Sequence, residues 1–236
     1  IRPKGISRWG ITAFCSLVLA VSFVIPVGQL LVWAGWTYKD VILTSDFREM
    51  TMNTISVASM ATALIMLLSV VVANMTRIMN HPFGAGLAKF LTLGYSIPGA
   101  IVAIGVLAVF IWADERLAPI YSWLGWGDAP LILSLSLGMM VVAYVIRFTA
   151  TGYNSVEVGF EKIGFKYTEA SRMLGTGFTR TFFKVDLPLI KGALLSGTLL
   201  TFIEIVKELP LALLLRPFNF DTLATKAYQY ASDERI

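Results

Sequence analysis

One cysteine and one histidine among 236 residues remove several kinds of chemistry at the outset. Cys15 has no partner for a disulfide or a thiolate metal cluster, and inside an apolar run it reads as a small lipid- or helix-facing side chain. His81, in His81-Pro82, excludes a two-histidine zinc motif; with no nucleophile-base set beside it, it reads as a solvated turn residue. No metal site is expected. Charge is scarce as well: 14% of residues are Asp, Glu, Lys or Arg, against about 25% in soluble domains. Gly159 and Gly164 have phosphate-loop spacing, but Phe165 stands where the essential lysine belongs. Without it there is no nucleotide cradle, and the chain is not expected to hydrolyse ATP itself.

What is abundant is apolar length. The chain is 56% hydrophobic with mean hydropathy +0.73, and a helix of about 20 apolar residues crosses a bilayer. Five such runs stand out: Trp9–Trp36, Thr54–Thr76, Phe90–Trp112, Pro130–Ala150 and Leu189–Leu215. Tryptophans lie at or near several of their ends, as interfacial belts prefer. The first run follows Arg2, Lys4 and Arg8 but is too long for the core of a signal peptide, so it reads as a retained span. With the N-terminus inside, the inner segments hold twelve Lys and Arg, Arg77 and Arg147 among them, and the outer segments six, with Lys207 left within a span. That asymmetry fits the positive-inside rule. It also accounts for the net charge of +4, so nucleic-acid binding is not expected. Five spans leave the C-terminus outside, and the chain starts at Ile1 rather than Met. Both ends look cut, and a sixth span beyond Ile236 is expected.

The longest charged stretch, EASRMLGTGFTRTFFKVDLP over 169–188, lies between the fourth and fifth runs. Residues 167–174 read as a short helix, with Thr168 as its cap, Glu169 in its first turn and Gly175 at its end. Phe178, Phe182 and Val185 suit one face of a second short helix, and Pro188 suits the first turn of the fifth span. The periodicity is equally compatible with a helix-turn-helix bracket protruding from the membrane and with an amphipathic loop lying on it.

The spacing separates the two. Glu169-Ala170-Ser171, three residues, Gly175, nine residues, then Val185, Asp186 and Leu187-Pro188 resembles the EAA loop of ABC importer permeases, which reads Glu-Ala-Ala, three residues, Gly, nine residues, Ile, one residue, Leu-Pro. The resemblance implies an all-α, polytopic helix bundle of the type I (MetI-like) kind. It implies one permease repeat over 1–236, with a cytoplasmic coupling loop at 151–187 that docks on an ATPase. It further implies two ATP-binding cassette subunits carrying the ATP and Mg, a periplasmic or lipid-anchored binding protein, a second permease repeat, and a place in the bacterial inner membrane. No cofactor is implied for this chain. The run Lys207-Glu208-Leu209-Pro210, with Arg216-Pro217-Phe218 and Asp221-Thr222-Leu223-Ala224 beyond it, is similar to the second half of ferric-iron importer permeases. Ferric iron is the expected cargo; phosphonate, sulfate, thiamine and polyamine importers share the scaffold.

Glu204, Lys207 and Glu208 also stand out physically. At about 1.5 Å per residue from Leu189, the two carboxylates fall roughly 22 and 28 Å into the fifth run, one turn apart. Charges at such depth face a bundle interior or a wet path. They read either as an internal Glu–Lys pair locking the helix or as a carboxylate pair lining an outer gate. Gly192/Ser196, Ala193/Gly197, Ser134/Gly138 and Gly99/Ala103 read as close helix crossings. A secondary transporter, the competing class, has no reason to keep Glu169, Gly175 and Leu187-Pro188 in register.

Overall fold

A computed structural model describes residues 6–42, 44–79, 82–126 and 131–233; His81 and Pro130 lie outside them. The described chain is helical throughout and divides into two units. One comprises residues up to Glu49 and from Tyr230 onward, the other Met50–Gln229.

In the first unit, α1 (Ile6–Leu19) passes through a π-helical turn at Ala20–Val24 into α2 (Ile25–Ile42). Pro26 explains the irregular turn: it has no N–H for the carbonyl one turn back, and the N–H of Ile25 instead reaches the Ala20 oxygen, the wider spacing of a π-bulge. Arg8–Tyr38 forms a 31-residue apolar span.

The second unit is organised around one helix. The segment α3 (Ser45–Met79), which begins five residues earlier, supplies the next apolar span, Ser45–Ile78. It is followed by α4 (Pro82–Ser96), α5 (Gly99–Trp123) and α6 (Leu137–Ile163). Tyr144, Phe148, Tyr153 and Val156 on α6 are fully buried, a stripe at helical period, and α6 packs against α4, α5, α10 (Lys191–Val206) and α11 (Pro210–Leu215). Between α6 and α10 lie α7 (Lys166–Met173), α8 (Phe178–Thr181) and α9 (Leu187–Leu189); α12 (Leu223–Ser232) follows α11.

Three of the five expected spans have different outlines. The third run, Phe90–Trp112, is broken at Ile97-Pro98, where α4 and α5 bend by 111°. Pro98 cannot continue the α4 hydrogen-bond ladder and instead starts α5. The fourth run lies on α6, which among the described residues is not apolar enough to count as a span by composition; this helix begins at Leu137, because residues 131–136 are held open by a carboxylate. Asp114 accepts from the backbone N–H of Leu133 (3.0 Å) and Ser134 (2.7 Å) and from the Tyr121 hydroxyl, and Ser136 then caps α6 by accepting from the Met139 N–H. The same helix continues to Ile163, so residues 151–163, assigned to the loop from sequence, belong to the bundle. Arg147, counted among inner-segment charges, therefore lies in the middle of a helix. The fifth run is bent by 70° near Ile190 and broken again at Lys207–Leu209.

Close crossings follow the glycines of α4, α6 and α10. A Cβ on Gly159 would meet that of Ala193 at 2.6 Å, one on Gly197 would meet the Ser155 Cβ at 2.8 Å, and Gly94 lies against the Ile146 carbonyl. Ala193/Gly197 is thus a crossing, as expected, whereas Gly192 has nothing within 4 Å and Gly138 meets only Ser136. Between apolar helices in lipid, such van der Waals approach is a main source of association. Gly159→Leu is expected to cost about 1–3 kcal/mol through overpacking. It should lower the melting temperature of the purified protein, whereas Gly192→Ala should not.

Candidate functional site

The segment from Gly164 to Pro188 is a bracket with a free tip and a fixed foot. Helix α7 ends at a tight reversal in which the Gly175 N–H bonds the Arg172 carbonyl and the Thr176 N–H bonds the Ser171 carbonyl, the paired bonds of a Schellman motif. Gly175 has φ +82°, a left-handed conformation that glycine adopts without Cβ strain. At the same end, Met173 is 89% and Leu174 87% exposed, two apolar side chains that nothing among the described residues covers. Glu169 and Ala170 are exposed beside them, and Ser171 turns inward, its hydroxyl 3.0 Å from that of Thr181. The second short helix expected on Phe178, Phe182 and Val185 is only one turn, after which the chain takes π geometry at Phe182–Asp186. Val185 and Leu187 are half-buried, and Leu187 packs on the core around Tyr153 and Ile190. Pro188 opens the short α9 rather than the long span itself.

The foot depends on a residue that sequence reading left among the loop charges. Arg77, at the end of α3, donates to the Gly164 carbonyl and to the Thr168 hydroxyl (3.0 Å), and lies 3.5 Å from the Asp186 carboxylate. Thr168 donates to Asp186 at 2.6 Å. Rather than capping α7, Thr168 sits inside its first turn and bridges these two charges. The guanidinium also stands over Phe160 and Phe165, 4.9 and 4.6 Å from their centroids. Both ionised side chains are nearly inaccessible, at 8% and 2%. Asp186 occupies the unspecified position between Val185 and Leu187, and only its burial and its distant partner reveal what it does.

The three charged residues of the fifth run are divided. Helix α10 ends at Val206, so Glu204 and Glu208 do not share a helix face. Glu204 pairs with Lys207 at 2.8 Å on an accessible surface. Glu208 is buried and turns away from both, 3.5 Å from Arg147 on α6. Arg147 also donates to the Ile97 carbonyl at 2.8 Å, in the break between α4 and α5. A little further along, Arg216 pairs with Asp221, the Asn53 amide donates to the Asp221 carbonyl at 3.2 Å, and the Leu223 N–H donates to Thr54 at 2.9 Å. These contacts fasten the start of α12 to α3. Among the described residues no group of acidic, His or Cys side chains could hold a metal ion.

Residues 77–233 match the family model described as "Binding-protein-dependent transport system inner membrane component". The chain belongs to this family. It is thus a multi-pass membrane protein and a transport-system permease, and the matched region contains both the bracket and the Arg147–Glu208 pair. It is 24% identical over 167 residues to the molybdate/tungstate transport system permease protein of Methanocaldococcus jannaschii, an alignment covering 71% of this chain and 63% of that one. The chain thus spans less than two thirds of that relative's length. Its fold is that of a bacterial alginate ABC transporter solved in complex with an alginate pentasaccharide-bound periplasmic protein (TM-score 0.73, 13% identity, 96% of this chain and 84% of that chain). A second structure of an alginate-importing bacterial ABC transporter is similar at TM-score 0.72, 13% identity, over 96% and 85% of the two chains.

In this permease the bracket foot carries a clear energetic expectation. Asp186→Ala leaves the Arg77 guanidinium buried without its counter-charge, a change that typically costs about 3–5 kcal/mol. Asp186→Asn keeps the shape and an acceptor for Thr168 and should cost less. Thermal unfolding of the two variants in the same detergent measures the difference.

Proposed function

We propose that the chain is the membrane-spanning subunit of an ATP-driven importer, receiving solute from a binding protein outside and releasing it to the cytoplasm. The observation that carries this reading is the bracket: Glu169, Ala170 and Gly175 present an exposed turn, with Met173 and Leu174 bare at its tip. Thr168, Asp186 and Leu187 root it in the bundle. A solvent-exposed apolar tip on a rigid base is the form expected of a protein-docking element. In this reading the tip seats on one of two ATP-binding cassette subunits, which hold the ATP and Mg. A second permease repeat completes the path, and the N-terminus of this segment faces the cytoplasm of a bacterial cell.

The cargo assigned by the C-terminal run is ferric iron. What supports it is the Lys207–Pro210 sequence and the accessible Glu204 carboxylate, an oxygen ligand suited to a hard cation. A second reading, a tetrahedral oxyanion, is favoured by the molybdate/tungstate permease relative. Uptake of ferric iron and of molybdate by the assembled transporter, each with its own binding protein, separates the two. For the coupling role, Gly175→Trp forces a bulky side chain onto a left-handed backbone position at the docking turn. It is expected to abolish substrate-stimulated ATP hydrolysis while the permease still inserts. Normal stimulation in that variant would refute the coupling assignment.

A further inference from the structure

Two arginine–carboxylate pairs join elements of the second unit, one nearly inaccessible and one with its arginine only partly buried, and they are built differently. At the bracket foot, Arg77 and Asp186 share Thr168, and Arg77 reaches a backbone carbonyl as well; this is a satisfied network of the kind that makes a site rigid. Arg147 and Glu208 form the other pair. Their nearest approach is 3.5 Å between Nε and Oε2, and both Nε of Arg147 and Oε1 of Glu208 are buried without a hydrogen-bond partner among the described residues. The Arg77–Asp186 pair is no closer, at 3.5 Å, but Thr168 bridges it. Glu208 accepts from the Leu211 N–H and Arg147 bonds the Ile97 carbonyl, but among the described residues no third side chain bridges the two, so their direct contact is the easier one to give up.

Its position adds to this. Arg147 lies ten residues from the start of α6 and sixteen from its end, roughly 15 and 24 Å along the helix. Glu208 lies seventeen residues from the start of α10, roughly 26 Å by the same rise and so at a similar level. At that level both broken segments meet the one arginine: the Ile97 carbonyl from the α4–α5 break and Glu208 from the α10–α11 break. The α4–α5 break has a residue fitted to it. A Cβ on Gly99 would lie 2.6 Å from Oε1 of Glu208 and 3.1 Å from Nη1 of Arg147, so the two side-chain ends rest directly on this glycine and would have to shift to admit a methyl group. Non-helical backbone at membrane depth is tolerated where protein covers it or where it lines a watery cavity, and an arrangement held by one under-bonded charge pair can pass between those conditions.

We propose that Arg147 is a gating residue, a latch that holds the α4–α5 and α10–α11 breaks together in the closed permease and must release Glu208 for the path to open. The latch acts within the importer reading above and rests on it. The test uses the whole transporter, permease with ATPase subunits, in liposomes without ATP. Passive permeability to K⁺ and Cl⁻ is read per folded complex, and ATP-driven uptake by the wild type is measured in the same preparation. Glu208→Gln keeps the size of the side chain and removes the charge. It is expected to raise the ATP-independent leak several-fold, and Arg147→Lys, which keeps the charge but loses the fork to Ile97, to raise it less. Gly99→Ala separates the pair sterically with no change of charge and gives the same reading should Glu208→Gln fail to accumulate. A lower melting temperature with wild-type leak would assign the pair a packing role only and overturn the latch. Wild-type liposomes that, supplied with ATP, take up neither ferric iron nor molybdate from its binding protein would instead overturn the importer reading, whatever the leak.

Discussion

A helix that breaks inside a membrane exposes backbone groups that water cannot reach, and the architecture of this permease depends on how those groups are satisfied. The Ile97 carbonyl at the α4–α5 break is met by Arg147, and the open N–H groups of Leu133 and Ser134 before α6 are met by Asp114. In both cases a charged side chain on a continuous helix serves the irregular backbone of its neighbour. Each unmade bond of this kind costs several kcal/mol in hydrocarbon, so these few charges fix where the chain can depart from helix and which segments must lie together.

The same logic explains the contrast between the two ends of the second unit. At the bracket, Thr168 bridges the buried side chains of Arg77 and Asp186, and the tip beyond them leaves Met173 and Leu174 bare. A rigid base passes on displacement at its tip instead of absorbing it. At the breaks, Glu208 is buried and Arg147 partly so, with the Nε of Arg147 and Oε1 of Glu208 left unbonded among the described residues, which suits a contact that is made and released. The second unit thus contains a stiff connection towards the exposed tip of the bracket and a looser one at the breaks, joined by α6 and α10, whose backbones approach through Gly159 and Gly197.

Much of this was legible in the residues. Four of the apolar runs fall on the two long apolar helices and the two bent pairs that could cross a membrane, because a bilayer demands length and hydrophobicity from every helix that crosses it. The Glu169–Pro188 spacing marked the bracket, and Gly175 was recognisable as a helix terminator because its role is local. What was misread depended on distance. Thr168 has the composition of a cap, but its hydroxyl is drawn to Arg77 and Asp186. Glu204 and Glu208 have the spacing of a shared face, yet Pro210 cannot continue the α10 ladder, and the break at Lys207–Leu209 sends them to different partners. Arg147 was counted with the inner loops because a lone arginine after an apolar run looks like a span end, whereas here the helix continues for sixteen more residues.

The sequence by itself determined where long apolar helices run, where glycine and proline permit or force a turn, and the register of the exposed bracket. Each of these follows from the chemistry of a residue and its immediate neighbours. Only the tertiary structure decided which charge answers which: Arg77 with Asp186, Arg147 with Glu208, Asp114 with the backbone before α6. Those pairings are set by three-dimensional proximity and by the cost of leaving a buried charge alone, and neither quantity is encoded in linear spacing.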